Sequence, residues 1–274
     1  MFTLNCKGRL LVIDRPLVMG IINVTPDSFW EGSRFQGVDA ILQQAENVLE
    51  EGASILDLGA QSTRPKSARL DAEEEAERLT EPLRAVHRRF PEAILSADTY
   101  HASVAQRAVE AGASIINDIS GGSFDKNMIA TVASLGVPFV CMHVKGTADT
   151  MHQNPHYSDV TREVLDYFIL KTAECRLAGI HDVIIDPGFG FSKTAAHNFE
   201  LIKNLSVFHM LQKPLLAGIS RKSTIYKTLS VTPAEALNGT TVLNTICLLN
   251  GASILRVHDV KEAMEAVKLV EAYR

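Results

Sequence analysis

The sequence predicts an α/β fold, a (β/α)8 TIM barrel that follows a short N-terminal β-hairpin, from three observations. The chain of 274 residues contains eight short apolar runs, rich in Ile, Val and Leu, that alternate with amphipathic segments. Nearly every run ends in a polar residue, which is typical of buried parallel strands that carry a site at one rim. The end residues are Asn23, Asp57, Asp98, Asn117, His143, Asp186, Arg221 with Lys222, and His258. The loops after the strands are longer and more polar than the links before them, which indicates an active site at that rim.

Each element of this fold can be placed in chain order. Residues 2–13 predict a hairpin that turns at Lys7-Gly8 and covers the bottom of the barrel. Barrel strands are predicted over 17–24, 54–59, 94–98, 114–119, 138–143, 182–186, 214–220 and 253–258. Helices are predicted over 39–50, 71–90, 101–110, 125–135, 161–177, 198–211, 233–249 and 260–272. Their apolar residues recur at helical spacing, so each helix is expected to bury one face against the sheet.

Net charge, cysteine spacing and the lengths of the apolar runs limit the classes of protein to which the chain can belong. The formal net charge of −5 gives no support for binding to nucleic acid or to a membrane surface. The four cysteines are scattered without metal-ligand spacing, which predicts reduced thiols in a cytoplasmic protein. No secretory leader is recognisable, and no apolar run approaches the ~20 residues of a membrane span. Without a linker or low-complexity segment, one domain over residues 1–274 is expected.

Two carboxylates and an amide end three of the predicted strands. Asp98 and Asp186 end the third and sixth strands, and Asn117 ends the fourth. Carboxylates placed there are partly buried and need hydrogen-bond partners, which a heteroaromatic ring with adjacent N–H groups can supply. The alternative is that they cap helices or form structural ion pairs. Asp118 points to the opposite face by strand alternation and is interpreted as structural.

Other rim residues suit a metal ion or an anion. Asn23 and Asp27, in a turn after the first strand, offer oxygen ligands for Mg²⁺, although turn formation alone also explains them. Thr63 and Arg64 place a hydroxyl beside a guanidinium, a combination that suits an oxyanion or a solvated surface loop.

Basic groups end the last two strands, where barrels often bind phosphate. Arg256 and His258 alternate to the same side of the eighth strand, as a shared anion requires, or else they pair with the rim carboxylates. The chain has no HExxH, GxSxG or GxxxxGK[ST] motif, which disfavours a zinc protease, a serine hydrolase and a P-loop enzyme.

Eight motifs follow one another along the chain. They are Met19-Gly-Ile-Ile-Asn-Val-Thr-Pro-Asp-Ser-Phe, Ser62-Thr-Arg-Pro, Asp98-Thr, Asn117-Asp, Met142-His, Asp186-Pro-Gly-Phe-Gly-Phe, Ser220-Arg-Lys-Ser and Arg256-Val-His-Asp. Together they closely resemble the dihydropteroate synthase family of bacterial folate synthesis. The resemblance implies a (β/α)8 barrel and a homodimer. It also implies condensation of (7,8-dihydropterin-6-yl)methyl diphosphate with 4-aminobenzoate, giving 7,8-dihydropteroate and pyrophosphate with Mg²⁺.

The resemblance also implies roles for individual residues, with no covalent nucleophile among them. The pterin would be held by Asp98, Asn117, Asp186 and Lys222. Mg²⁺ would be bound near the diphosphate by Asn23. The diphosphate, or the closed loop around it, would be held by Arg256, His258, Thr63 and Arg64. The aminobenzoate pocket, where sulfonamides compete in this family, would be bordered by Thr63, Pro65, Phe191 and Ser223.

The chain departs from the family pattern in its first two loops. Gln61 stands where the family usually has Glu, Ala60 and Lys66 stand where it has Gly, and Trp30-Glu-Gly-Ser replaces Ser-Asp-Gly-Gly. These changes concern loop closure more than the pterin pocket. They leave open a paralogue that binds pterin without catalysis.

A second alternative is a methyltetrahydrofolate-dependent methyltransferase, which shares the pterin-binding groups. Such an enzyme has no need of a diphosphate site, so it leaves four basic residues unexplained. They are Arg64, Lys222, Arg256 and His258.

Overall fold

The computed structural model describes residues 1–24, 34–61, 69–151 and 155–274, with side chains described from residue 37 in the second range. The N-terminal hairpin is as predicted. Strand β1 (Phe2–Cys6) pairs antiparallel with β2 (Arg9–Ile13) across the two-residue turn Lys7-Gly8. Both turn residues have positive φ, 54° and 86°, the backbone conformation of a type I′ hairpin turn.

The eight remaining strands form one parallel sheet. They are β3 (Leu17–Asn23), β4 (Ile55–Gly59), β5 (Ile94–Asp98), β6 (Ile115–Asp118), β7 (Phe139–Met142), β8 (Val183–Asp186), β9 (Leu216–Ala217) and β10 (Ile254–Val257). Their order in the sheet is β8-β7-β6-β5-β4-β3-β10-β9. A parallel bridge between Ile185 and Leu215 joins β8 to the residue just before β9. The sheet therefore curls into a nearly closed barrel, which confirms the predicted fold class.

Helices connect the strands on the outside of the barrel. They are α1 (Arg34–Glu50), α2 (Ala72–Arg89), α3 (Ala102–Glu110), α4 (Met128–Leu135), α5 (Val160–Ala178), α6 (Ala195–Lys203), α7 (Ser223–Leu229), α8 (Leu237–Leu249) and α9 (Val260–Tyr273). Helix α2 starts as its sequence indicates, because the Asp71 carboxylate accepts a hydrogen bond from the Glu74 amide. Among the described helices, none combines the length and the apolar character needed to cross a membrane.

Two helical segments differ from the prediction. The single helix expected over 198–211 is in fact α6 followed by a 3₁₀ helix over Leu205–Leu211. Helix α6 starts early because Thr194 and His197 form a capping box, in which histidine takes the place usually held by Glu or Gln. Helix α7 is not predicted at all, because its first residues belong to the Ser220-Arg-Lys-Ser motif and are interpreted as a loop.

The barrel interior begins with a layer of apolar side chains near the N-terminal ends of the strands, here called the bottom layer. Every barrel strand contributes to it, through Leu17, Met19, Ile55, Ile94, Ile115, Val140, Ile184, Leu216 and Ile254. Leu4, Cys6 and Ile13 of the hairpin pack against this layer, so the hairpin covers the bottom of the barrel as predicted. Since side chains alternate along a strand, the next inward positions lie two residues further on, toward the opposite rim.

Candidate active site

A cavity opens directly above the bottom layer, toward the C-terminal ends of the strands. Its walls are formed by Asp98, Asn117, Ile119, Met142, Asp186, Phe191, Gly218, Lys222 and Arg256. Five of these stand two positions after a member of the bottom layer, namely Asn117, Met142, Asp186, Gly218 and Arg256. Strand alternation thus gathers polar side chains from different strands into one space. It brings together five predicted site residues: Asp98, Asn117, Asp186, Lys222 and Arg256.

A buried hydrogen-bond network below the cavity is centred on Asp57. This side chain is 0% exposed and accepts hydrogen bonds from Ser96 Oγ at 2.6 Å, Asn117 Nδ2 at 3.0 Å and Arg256 Nε at 2.6 Å. Arg256 also donates from Nη2 to Asp98 Oδ2 at 2.6 Å. Its guanidinium therefore bridges two carboxylates that would otherwise repel each other. Arg256 therefore forms ion pairs with carboxylates, which is one of the two roles predicted for it. No sequence motif indicates that Asp57 is one of its partners.

Asp186 and Lys222 approach the cavity from either side of Gly218. The Asp186 Oδ1 atom accepts a hydrogen bond from the Gly188 amide at 2.8 Å, and Lys222 Nζ donates to the Phe189 carbonyl at 2.7 Å. A Cβ atom on Gly218 would lie 3.8 Å from both Asp186 Oδ2 and Lys222 Nζ. A Cβ at this distance would make ordinary van der Waals contact, so Gly218 lies against both charged groups at the wall of the cavity.

The electrostatics of the cavity are set by burial. Burial raises the pKa of Asp98 and of Asp186, while Arg256 and Lys222 act in the opposite direction on these two carboxyl groups. Burial also lowers the pKa of Lys222 to about 8, against the stabilising charge of Asp186. The Lys222 ammonium lies 4.6 Å from the centre of the Phe191 ring, within cation–π range. The cavity thus combines two carboxylates, an amide and an ammonium with an aromatic side chain. This combination suits a planar, nitrogen-rich ring.

The other predicted site residues lie apart from this cavity or beyond the described chain. Asn23 is exposed at the end of β3, and Ser223 is half-buried as the first residue of α7. His258 is exposed just beyond β10, with Nδ1 3.0 Å from Ser220 Oγ. Within the described chain, the cavity wall includes none of these three. Of the residues singled out from the sequence, those that lie outside the described ranges are Asp27, Trp30, Thr63, Arg64, Pro65 and Lys66.

Gln61, one of the departures from the family pattern, has a structural contact. Its Oε1 atom accepts a hydrogen bond from the Leu70 amide at 2.9 Å. This bond joins residues on either side of the segment 62–68, which contains Thr63, Arg64 and Pro65. An amide oxygen here supplies the acceptor that a glutamate carboxylate would supply.

An unpaired buried carboxylate lies close to the cavity, on α2. Glu75 is 0% exposed, and neither of its carboxylate oxygens has a hydrogen-bond partner within the described residues. The nearest cationic group is His101 Nε2, at 4.0 Å from Oε2. Burial raises the pKa of Glu75 to about 7; the nearby Thr99 side chain opposes this shift, and Asp98 and Asp118 add to it.

We expect Glu75→Gln to stabilise the protein at pH 8 and to have little effect at pH 5. Because the folded-state pKa is raised, the proton on Glu75 favours folding below its ordinary pKa of 4.5, and this contribution is lost as the pH rises toward 7. The full effect is about 3 kcal/mol in the free energy of unfolding. Urea unfolding at both pH values measures it, with the exposed Glu77→Gln of the same helix as the control. An equal change at both pH values would show that Glu75 is already ionised in the folded protein.

Comparison with known proteins identifies the family. The chain matches the family model for pterin-binding enzymes over residues 19–258. The chain belongs to this family of pterin-binding enzymes. Within it, the dihydropteroate synthase of Escherichia coli strain K12 is 42% identical over 271 residues, which cover 98% of this chain and 95% of that protein.

Solved structures of pterin-binding enzymes agree with the sequence match. The dihydropteroate synthase of Xanthomonas albilineans with 4-aminobenzoic acid superposes with a TM-score of 0.91 at 37% identity, covering 99% of this chain and 97% of that one. The same enzyme in complex with 7,8-dihydropteroate gives a TM-score of 0.88 at 35% identity, covering 99% and 98% of the two chains. The barrel derived above is therefore the barrel of pterin-binding enzymes.

Proposed function

We propose that this chain catalyses the dihydropteroate synthase reaction, the condensation of (7,8-dihydropterin-6-yl)methyl diphosphate with 4-aminobenzoate to give 7,8-dihydropteroate and pyrophosphate. The observation that carries the proposal is the cavity in which Asp98, Asn117, Asp186 and Lys222 converge. The two carboxylates accept hydrogen bonds from the ring N–H groups of the pterin, and the amide and ammonium complete its recognition.

The same groups support the chemistry. Departure of pyrophosphate leaves positive charge on the methylene carbon, which the pterin ring delocalises. Asp98 and Asp186 offset this charge through their hydrogen bonds to the ring, because charge that develops next to a preorganised carboxylate is stabilised. The aryl amine of 4-aminobenzoate then attacks the carbon, so no residue of the chain forms a covalent intermediate. Phe191 and Ser223 border the aminobenzoate, together with Thr63 and Pro65, in a pocket where sulfonamides compete.

The diphosphate lies toward the strand ends, next to Arg256 and His258, with Thr63 and Arg64 from the second loop. Although part of His258 reaches the surface, desolvation of its imidazole by the surrounding residues and the neighbouring Arg256 lower the pKa of this group. The imidazole is therefore neutral at pH 7 and contributes a hydrogen bond rather than a charge. Asp57 and Asp98 fix the guanidinium of Arg256 in place ahead of the substrate.

Mg²⁺ accompanies the diphosphate in this proposal, held from the protein by Asn23. The described part of the chain contains no group of three His, Cys, Asp or Glu residues that could form a metal cage. A single amide oxygen suits Mg²⁺, which keeps several water ligands and takes others from substrate phosphates. When bound, the ion neutralises the departing pyrophosphate.

Pyrophosphate release tests the function. The folded protein supplied with the pterin diphosphate, 4-aminobenzoate and Mg²⁺ should release pyrophosphate and form dihydropteroate, and chelation of Mg²⁺ should stop the release. Release must depend on 4-aminobenzoate, which is the control. A protein that binds the pterin but releases no pyrophosphate would instead support the non-catalytic paralogue. Consumption of methyltetrahydrofolate would support the methyltransferase.

A homodimer of single-domain subunits is part of the proposal. Helices α8 and α9 pack against each other and expose apolar side chains at helical spacing, namely Val242, Ile246, Leu249, Leu269 and Tyr273. Sedimentation of the purified protein should give the mass of two chains, and Val242→Glu with Leu269→Glu should give that of one. A wild-type monomer at micromolar concentration would contradict this. The four buried, unpaired cysteines support a reducing, cytoplasmic location.

A further inference from the structure

A lysine that no predicted role uses lies beneath the loop after β8. The Lys193 side chain is buried, and its Nζ atom donates hydrogen bonds to three carbonyl oxygens: Phe191 at 3.0 Å, Gly188 at 3.1 Å and His143 at 3.3 Å. The imidazole Nδ1 of His143 lies 2.9 Å from the same atom. The ammonium thus occupies a cage of backbone carbonyls, as a bound cation would, and His143 contributes to this cage rather than to the cavity.

The loop around this cage has an unusual backbone. Gly188, Gly190 and Ser192 all have positive φ, at 72°, 81° and 45°. A left-handed conformation is unfavourable for a serine, so neighbouring contacts must hold it in place. Ser192 donates its amide to the Met151 carbonyl at 2.7 Å, and its hydroxyl oxygen accepts from the Lys145 amide at 2.7 Å. Lys193 Nζ is the donor that the Gly188 and Phe191 carbonyls of this loop share.

The opposite side of this loop contacts the charged groups of the cavity. The Phe189 carbonyl accepts the hydrogen bond of Lys222, and the Phe191 ring lies under the same ammonium. The Gly188 amide donates to Asp186. Gly188 and Phe191, whose carbonyls accept hydrogen bonds from Lys193, therefore also contact Asp186 and Lys222.

We propose that Lys193 is a positioning residue for the pterin site: its ammonium fixes the 188–193 loop, and the loop fixes Lys222. The proposal rests on the proposed function only for its binding readout. The titratable and charged groups that face Lys193 are His143, Asp186 and Lys222, and Lys145 acts on His143. Burial lowers the pKa of Lys193 to about 7, and Asp186 opposes this shift. Burial and the neighbouring Lys193 lower the pKa of His143, so its imidazole is neutral.

The test is a double-mutant cycle between the two lysines. Lys193→Met keeps the volume of the side chain but removes its donors, and we expect the affinity for 6-hydroxymethyl-7,8-dihydropterin, followed by fluorescence, to fall at least tenfold. In a Lys222→Ala background the same substitution should change the affinity less than twofold, because its effect passes through Lys222. Equal losses in both backgrounds would overturn the proposal, since a general structural defect acts regardless of Lys222.

Two further measurements keep the result decisive. If Lys193→Met does not fold, Lys193→Gln, which keeps one N–H₂ donor, takes its place in the same cycle. Asn250→Ala removes a comparable side-chain bond, to the Ile202 carbonyl, and should leave pterin affinity unchanged. The ¹H and ¹⁵N resonances of the Lys222 ammonium, assigned by their loss in Lys222→Ala, report on its position without any ligand, because the ammonium lies 4.6 Å from the centre of the Phe191 ring and experiences its ring current. At a pH below the Lys222 pKa of about 8, these resonances should shift when Lys193 is replaced. Unchanged resonances would contradict the proposal even if the protein binds no pterin.

Discussion

Asp57→Ala should lower the free energy of unfolding by about 3–5 kcal/mol, the usual cost of removing one partner from a buried ion pair. The substitution leaves three donors, from Ser96, Asn117 and Arg256, without their acceptor. It also leaves the guanidinium of Arg256 with Asp98 as its one remaining carboxylate partner among the described ion pairs. Urea unfolding at pH 7 measures the loss, and pterin affinity should fall with it because Asn117 and Arg256 both line the cavity.

A double-mutant cycle separates the ion pair from simple loss of packing. Arg256→Met alone leaves Asp57 and Asp98 as buried, unpaired carboxylates, so it should also be strongly destabilising. The double variant should lose less than the sum of the two single variants, since each substitution removes the charge that the other leaves unpaired. Additive losses would mean that the contact between Asp57 and Arg256 contributes no coupling. Asp57→Asn, which keeps an acceptor oxygen, should cost less than Asp57→Ala.

Strand alternation explains how much of the site could be predicted. A buried parallel strand sends every second side chain into the barrel, so a polar residue that ends an apolar run enters the barrel when it stands an even number of positions after an inward-facing residue. This is why Asp98, Asn117 and Asp186 could be assigned from the sequence and are found together. The same rule places Asp57 two residues after Ile55 of the bottom layer, and it could have been assigned to the interior in this way.

The partners of these residues could not be predicted, because contacts across a barrel join strands far apart in sequence. Asp57 and Arg256 are separated by 199 positions, and no local pattern indicates which inward side chains meet. Loop contacts were missed for a related reason. The Lys193 cage depends on left-handed backbone at Ser192, which composition does not reveal. Helix α7 could not be predicted because a short helix after a barrel strand resembles a binding loop in its polar composition.

Lys222→Ala should reduce turnover by about 10- to 150-fold while the protein stays folded. A hydrogen bond from a charged group to a bound ligand contributes about 1.5–3 kcal/mol, and its loss in the transition state lowers the rate accordingly. Lys222 lies at the start of α7, and its ammonium contacts a carbonyl oxygen and an aromatic face. Its removal leaves a single acceptor unpaired, which the fold can tolerate. Steady-state kinetics measure the loss of turnover, and urea unfolding shows whether the variant stays folded. The matched control is Lys227→Ala, on the exposed side of the same helix.

The pKa of Lys222 gives the prediction a second, independent outcome. Because burial lowers this pKa to about 8, the ammonium is protonated at pH 7 and loses its proton as the pH rises through 8. Pterin affinity of the wild-type protein should therefore decline between pH 7 and pH 9, and the decline should be absent in Lys222→Ala. A variant that retains the same pH dependence would assign the titration to another group of the cavity, and normal turnover would remove Lys222 from the site. The negative charge of Asp186 raises the pKa of Lys222. Asp186→Asn should therefore lower this pKa and shift the decline in pterin affinity to lower pH.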